Sequence, residues 1–280
     1  MSEKCFFQAE HISAGYGKKA VIHDISFSLK PGTLTALIGA NGSGKTTLMK
    51  CIANQLSHGG KSVLRGECLE DMSVKELARK VSYIPQKSGI RISLPVLDVV
   101  MMGFNPVMKL MQRPSEEQKN RAKEALAAVG LGGYENMDYL TLSEGQKQLV
   151  FLARTLIEDT TLLLLDEPDS ALDLQNRYQI MKHLKAMVVE REQAGLLCLH
   201  DPVLALRFCE QLILLKDGCC VKVLHPSEDS LEEMEKALKE MYSRGKAVPG
   251  GACGFWGACG AGISAGQFVS IATGATPLAA

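Results

Sequence analysis

Charge of one sign is not in excess in this 280-residue chain: Lys+Arg and Asp+Glu both number 31 and the formal net charge at pH 7 is zero. A summed basic field that would draw in nucleic acid or an anionic membrane is therefore missing, and a nucleic-acid partner is not expected. Aromatics are scarce at 5%, with one Trp, against 46% hydrophobic residues, a balance that fits a globular α/β chain with a sizeable core. The length suits one large domain, or one domain plus a fragment. Nine cysteines are present, yet no two stand at C-x-x-C spacing. Scattered thiols speak against a disulfide framework and for a reducing compartment. The opening MSEKCFFQAE lacks the charged-then-apolar pattern of a secretory signal. Up to residue 246 charged residues interrupt every apolar run, which excludes a bilayer span there. A cytoplasmic protein is expected.

What is present reads as alternating strands and helices. From residue 5 to about 36 short apolar runs alternate with turns at Gly15-Tyr16-Gly17 and Pro31-Gly32, which predicts antiparallel strands. "LIGANGSGKTTLMK", residues 37 to 50, then opens as a buried strand, breaks into glycines and enters a helix. Residues from about 88 to 140 are Met- and Ala-rich and helically periodic, an inserted helical subdomain in which the glycine after "EALAAV" serves as a C-cap. "LLLLDEP" and "GLLCLHD" are continuous apolar strands separated by a helix from about 174 to 193, the signature of a parallel sheet covered on both faces. "LILLKDGCCVKVL" predicts a hairpin turning at Asp217-Gly218, and a charged helix closes the domain near 246.

Three stretches carry chemistry. Gly39-x-x-x-x-Gly44-Lys45-Thr46 lies between a strand and a helix, the context in which this pattern is a phosphate-binding loop. Successive backbone N–H groups and the helix start offer positive potential to phosphate, Lys45 adds a point charge, and the Thr46 hydroxyl can ligate Mg²⁺. Acidic residues often end strands with no function. Asp166 and Glu167 are two in succession, downstream of such a loop, and suit holding Mg²⁺ and polarising a water as general base. Ser143 and Gly145, just before the apolar-periodic "LVFLARTLIED", make a second phosphate-receptive helix start. One nucleotide does not need two such cradles in one chain. A head-to-tail pair of chains, each cradle closing on the nucleotide held by the other, is the economical arrangement.

With these in order, residues 5 to about 244 resemble an ABC ATPase, the nucleotide-binding domain of ATP-binding cassette proteins. The carrying motifs are the phosphate loop, the Asp166-Glu167 pair, Leu142-Ser143-Glu144-Gly145-Gln146, Gln86 in "YIPQ", "SALD" at 170 to 173, and His200 in "LHDP". The resemblance implies an α/β P-loop NTPase fold with an N-terminal antiparallel β subdomain, a parallel-sheet core and the helical insertion. It implies ATP and Mg²⁺ as cofactors. Catalysis falls to Glu167, with Gln86 sensing Mg²⁺ and the attacking water and His200 contacting the γ-phosphate; Thr46, Gln86 and Asp166 form the metal set. On the nucleotide stand Tyr16, stacking on adenine, and the loop residues Gly39, Asn41, Gly42, Gly44, Lys45, Thr46 and Thr47. Ser143, Gly145, Gln146 and Asp173 act across the dimer. Glu144 stands where the family usually has Gly. A carboxylate near phosphate is unfavourable, so this side chain is expected to face solvent and to weaken hydrolysis at most.

"YIPQKSGIRISLPVLDVVMMG" and the Met-rich run after it resemble the importer branch that serves iron–siderophore, haem and cobalamin uptake. That implies a subunit peripheral on the inner face of the cell membrane. It would be docked under transmembrane permease subunits, paired with a second ATPase subunit, and served indirectly by a solute-binding protein. The alternative is a soluble ABC ATPase without a permease, as in iron–sulfur cluster assembly; a simple P-loop kinase has no use for the later motifs. Residues 247–280 differ from the rest. They hold no charge and many glycines, and they resemble the opening of a small Cys-containing domain that stops almost as it starts, a shortened second domain. Cys253 and Cys259 are too few to close a metal site.

Overall fold

The computed structural model describes residues 6–86, 89–109, 112–168 and 171–242. Strands β1 (Phe7–Tyr16) and β2 (Lys19–Leu29) form the expected antiparallel hairpin. After Pro31-Gly32 the chain crosses to a second sheet as β3 (Thr33–Gly39), which feeds helix α1 (Lys45–Ile52). Strands β4 (Gly59–Leu64) and β5 (Glu67–Cys68) then return to the first sheet, whose order is β2-β1-β4-β5. The sequence pattern placed the N-terminal antiparallel strands before the phosphate loop, so half of this sheet comes from an unforeseen place. "GGKSVL" has too few apolar residues for its alternation to show, and β4 gains its identity only by pairing with β1, Phe7 opposite Leu64.

Helix α2 (Val74–Lys80), held by a capping box between Ser73 and Glu76, leads into β6 (Val81–Ile84). The insertion follows as α3 (Val96–Met101) and α4 (Glu116–Ala128), packed on α5 (Glu144–Ile157). Helix α4 ends as read from sequence: Gly130 has φ 80°, its N–H reaches the Ala127 carbonyl at 3.0 Å, and Leu131 N–H reaches Leu126 at 2.8 Å. That is a Schellman motif. The chain continues through β7 (Leu162–Asp166), α6 (Leu174–Glu190), β8 (Ala194–Cys198) and α7 (Pro202–Phe208). Strands β9 (Gln211–Lys216) and β10 (Cys219–Leu224) and helix α8 (Leu231–Tyr242) complete it. Asp217 and Gly218, at φ 49° and 80°, form the type I′ turn expected between β9 and β10.

The six-stranded sheet runs β10-β9-β3-β8-β7-β6, parallel except for β10. Its two faces belong to different cores. Leu37, Leu162, Leu164 and Leu196 pack with Leu48 of α1 and Ile22 and Ile25 of the antiparallel sheet. Leu34, Ile38, Leu163, Leu165 and Leu197 face Leu126, Leu152, Leu184 and Leu238 of the helices. Burial on both sides explains why β7 is leucine at consecutive positions rather than alternating, each side chain contributing roughly 1.5–3 kcal/mol. Among the described residues no helix is long and apolar enough to cross a membrane.

The architecture is thus the expected α/β one, and it sets β3, β7 and β8 side by side with their C-terminal ends at one edge. The phosphate loop follows β3, Asp166 ends β7 with Glu167 next to it, and His200 stands two residues beyond β8.

Candidate functional site

The loop after β3 is shaped by glycine. A Cβ on Gly39 would stand 2.4 Å from the Ser43 hydroxyl oxygen and 2.5 Å from the Leu215 carbonyl. Gly44 has φ 103°, and a Cβ there would meet Ile22 Cγ2 at 2.4 Å. Neither place accepts a side chain, and Gly44 also needs the left-handed conformation. Helix α1 begins at Gly44 with no side-chain cap, leaving its first N–H groups toward the cleft. Lys45 is 5% exposed, and its Nζ donates to the carbonyls of Gly39 (2.8 Å) and Ala40 (3.3 Å). The loop backbone thereby holds the ammonium in place.

A cleft of about 350 Å³ lies over this loop. Asn41, Gly42, Gly44, Lys45, Thr46 and Thr47 form its floor, and Gln86, Glu167 and His200 close it from the strand ends. Val21 of β2 supplies one wall and was not singled out from the sequence, where it is one apolar strand residue among many. Glu167 takes φ 54°, a left-handed conformation costly for a side chain this size. Its carboxylate sits between two donors: Gln86 Nε2 at 2.5 Å from one oxygen and His200 Nε2 at 2.5 Å from the other.

Asp166 ends β7 at 1% exposure, and neither carboxylate oxygen has a hydrogen-bond partner. Burial pushes its pKa up, opposed by the nearby Thr46 hydroxyl, the Cys198 thiol and the Lys45 charge. An ionised, unpartnered carboxylate in the interior is costly unless a cation joins it. The residues present therefore fit a divalent ion, with Thr46 and Asp166 as the oxygen donors and no thiolate among them.

The second helix start is built differently. Ser143 caps α5 through its hydroxyl, which accepts the Gln146 N–H at 3.3 Å, while Gln146 Oε1 accepts the Ser143 N–H at 2.9 Å. Glu144 is 75% exposed at its side chain and paired to Lys147 at 2.8 Å, facing solvent as expected. Gly145 has a reason the sequence did not show: a Cβ there would lie 2.8 Å from the Ala171 carbonyl. Asp173 caps α6, accepting the Asn176 N–H at 2.8 Å. None of Ser143, Gly145, Gln146 and Asp173 lines the cleft over the phosphate loop, and neither does Tyr16, 50% exposed at the end of β1. Asp169 and Ser170 lie outside the described residues, as do Cys253 and Cys259.

Comparisons with known proteins converge on this arrangement. A family model described as ABC transporter matches residues 22–170, and one described as a family of unknown function (DUF5714) matches residues 212–280, which include β10 and α8. The iron(3+)-hydroxamate import ATP-binding protein FhuC of Bacillus subtilis is 34% identical over 76% of this chain and 80% of its own length. The hemin import ATP-binding protein HmuV of Deinococcus radiodurans is 33% identical over 77% and 83%. Among solved structures, a nucleotide-free ATP-binding cassette from an ABC transporter superposes with a TM-score of 0.73 at 21% identity, covering 86% of this chain and all of that one. A dimeric post-hydrolysis cassette bound to ADP and Pi superposes with a TM-score of 0.70 at 26% identity over 78% of this chain and 98% of its own. Phosphate loop, carboxylate pair and helical insertion, matched over most of the length of these relatives, place the chain in the ABC transporter family as an ATP-binding, ATP-hydrolysing subunit.

Proposed function

We propose that this ATPase powers import of a metal chelate of the iron–siderophore, haem or cobalamin type. In this reading it works beneath transmembrane permease subunits on the inner face of the membrane, with a solute-binding protein delivering cargo outside. The relatives' names support the cargo class. The geometry supports the chemistry, and one observation carries it: Glu167, in a left-handed conformation on the cleft wall, has both carboxylate oxygens held by Gln86 and His200.

ATP would lay its phosphates over the loop, where the uncapped α1 start and Lys45 face them. Thr46 and Asp166 would hold Mg²⁺, which when bound neutralises charge on the phosphate oxygens. Glu167 would accept the proton of the attacking water, with Gln86 fixing the direction of its carboxylate. His200, sharing that carboxylate, stands on the cleft wall where a γ-phosphate oxygen would lie. Tyr16 would stack on the adenine beyond the phosphates.

Two copies would act together. Ser143, Gly145, Gln146 and Asp173 do not line the chain's own cleft, which favours a head-to-tail pair, and the similar cassette bound to ADP and Pi is dimeric. The copies are read as identical. Residues 1–246 are read as the ATPase body and 247–280 as a separate extension.

The test is ATP turnover by the purified chain alone and with a candidate permease. Stimulation by the permease is the expected result. A stable complex with a soluble scaffold and no permease response would overturn the transport reading.

A further inference from the structure

We infer that Gln148 is a positioning residue, a strap that ties the turn bearing Glu167 to the start of helix α5 and so links Ser143 to Glu167 within one chain. The inference rests on the reading of Glu167 as the general base.

Gln148 lies one turn into α5 and is half-buried. Its Nε2 donates to the Glu167 carbonyl at 3.4 Å, and its Oε1 accepts the Ala171 N–H at 3.1 Å. A single side-chain amide thus grips the chain at two points four residues apart. Gly145 precedes Gln148 by three residues and shares its helix face. Because Gly145 lacks a side chain, the Ala171 carbonyl can come to 2.8 Å from where a Cβ would be. The first turns of α5 are therefore seated against Glu167 and Ala171 through contacts of two kinds, one steric and the other polar. Glu167 needs outside support to keep φ at 54°. Gln86 and His200 hold its carboxylate, whereas Gln148 grips its backbone.

The residue type matters. The task requires a donor and an acceptor on one planar group; a carboxylate offers only acceptors and an ammonium only donors. Ser143, the cap residue five positions before Gln148, is the group read as meeting the nucleotide of the other copy. A shift of the α5 start on engaging that nucleotide would pass through Gln148 and Gly145 to the backbone of Glu167.

The experiment uses the full chain with Gln148→Leu, which removes both bonds, and Gln148→Glu, which keeps the acceptor for Ala171. Steady-state turnover, binding of a fluorescent ATP analogue and hydrogen exchange at the Ala171 amide are measured, with Glu167→Gln in parallel. For Gln148→Leu, kcat is expected to fall about ten- to a hundredfold, the scale of a displaced catalytic group, while KM and analogue affinity stay within about twofold. Exchange at Ala171 should accelerate in Gln148→Leu, and Gln148→Glu should restore its protection and part of the rate. Wild-type kcat in Gln148→Leu overturns the proposal, as does a loss of rate that follows a fall in melting temperature and analogue affinity. If Glu167→Gln remains fully active, the general-base reading fails instead. The exchange arm then judges the strap by itself: unchanged protection at Ala171 in Gln148→Leu overturns it.

Discussion

The two glycine-flanked helix starts, at α1 and at α5, have the same local chemistry and opposite states. At α1 the cap position is Gly44, no side chain reaches the first turn, and Lys45 is held beside it by backbone carbonyls. At α5 the cap is Ser143, and a reciprocal box with Gln146 satisfies two backbone N–H groups from within the chain. The first start is left without a side-chain cap and faces the cleft. The second is capped from within its own chain and does not line the cleft over the phosphate loop. Two helix starts of similar sequence therefore differ in what their own chain supplies: the cap residue sets how many of the first N–H groups are already satisfied from within.

The two starts part most clearly when the carboxylate is changed. Glu167→Gln should lower turnover by about a hundredfold or more while ATP still binds, because a general base contributes that much. Radiolabelled ATP should be retained, and a nucleotide-dependent dimer should accumulate in size-exclusion chromatography. A mutant that stays monomeric with ATP counts against the paired reading. Lys45→Ala comes next. Loss of charge-assisted bonds to phosphate should weaken ATP binding by about ten- to a hundredfold, read by titration calorimetry.

Ser143→Ala acts on the closed start and should behave in the reverse sense. Binding of ATP to the lone chain should be unchanged, ATP-dependent pairing should be lost, and the missing cap should cost about 1 kcal/mol, visible as a melting shift of about 2–4 °C. If Ser143→Ala impaired ATP binding by the monomer, the division between the two starts would fail. The smallest effect is expected for Glu144→Gly, which removes an exposed, screened charge paired to Lys147. Hydrolysis should rise by no more than about threefold, with the difference shrinking as salt increases.

Much of this molecule was legible beforehand, and the legible parts are local. The Asp217-Gly218 turn and the Gly130 helix end follow from backbone conformations that those residues adopt readily. The loop ending in Gly44-Lys45-Thr46 lay between strand and helix as its pattern required. Gln86, Glu167 and His200, distant in sequence, share a cleft because each follows or precedes a strand end at the same sheet edge.

The missed features are contacts between segments far apart in the chain. Strand β4 has little apolar pattern of its own and belongs to the antiparallel sheet only through β1. Val21 became a cleft wall because β2 crosses beside the phosphate loop. Gly145 was read as part of a phosphate cradle, yet its lack of a side chain is also demanded by the Ala171 carbonyl. Gln148 ends the stretch "LSEGQKQ", yet no sequence pattern gave it a role of its own.

Residue spacing and type by themselves determined the periodicities, the turn conformations and the phosphate loop, since each depends on sterics and hydrogen bonds within a few residues. Only the tertiary structure decided which backbone carbonyls crowd which glycines, how Glu167 is gripped, and which helix start stays open. Those outcomes depend on close approach between chain segments brought together by burial of the two sheet faces, and no short stretch of sequence contains both partners.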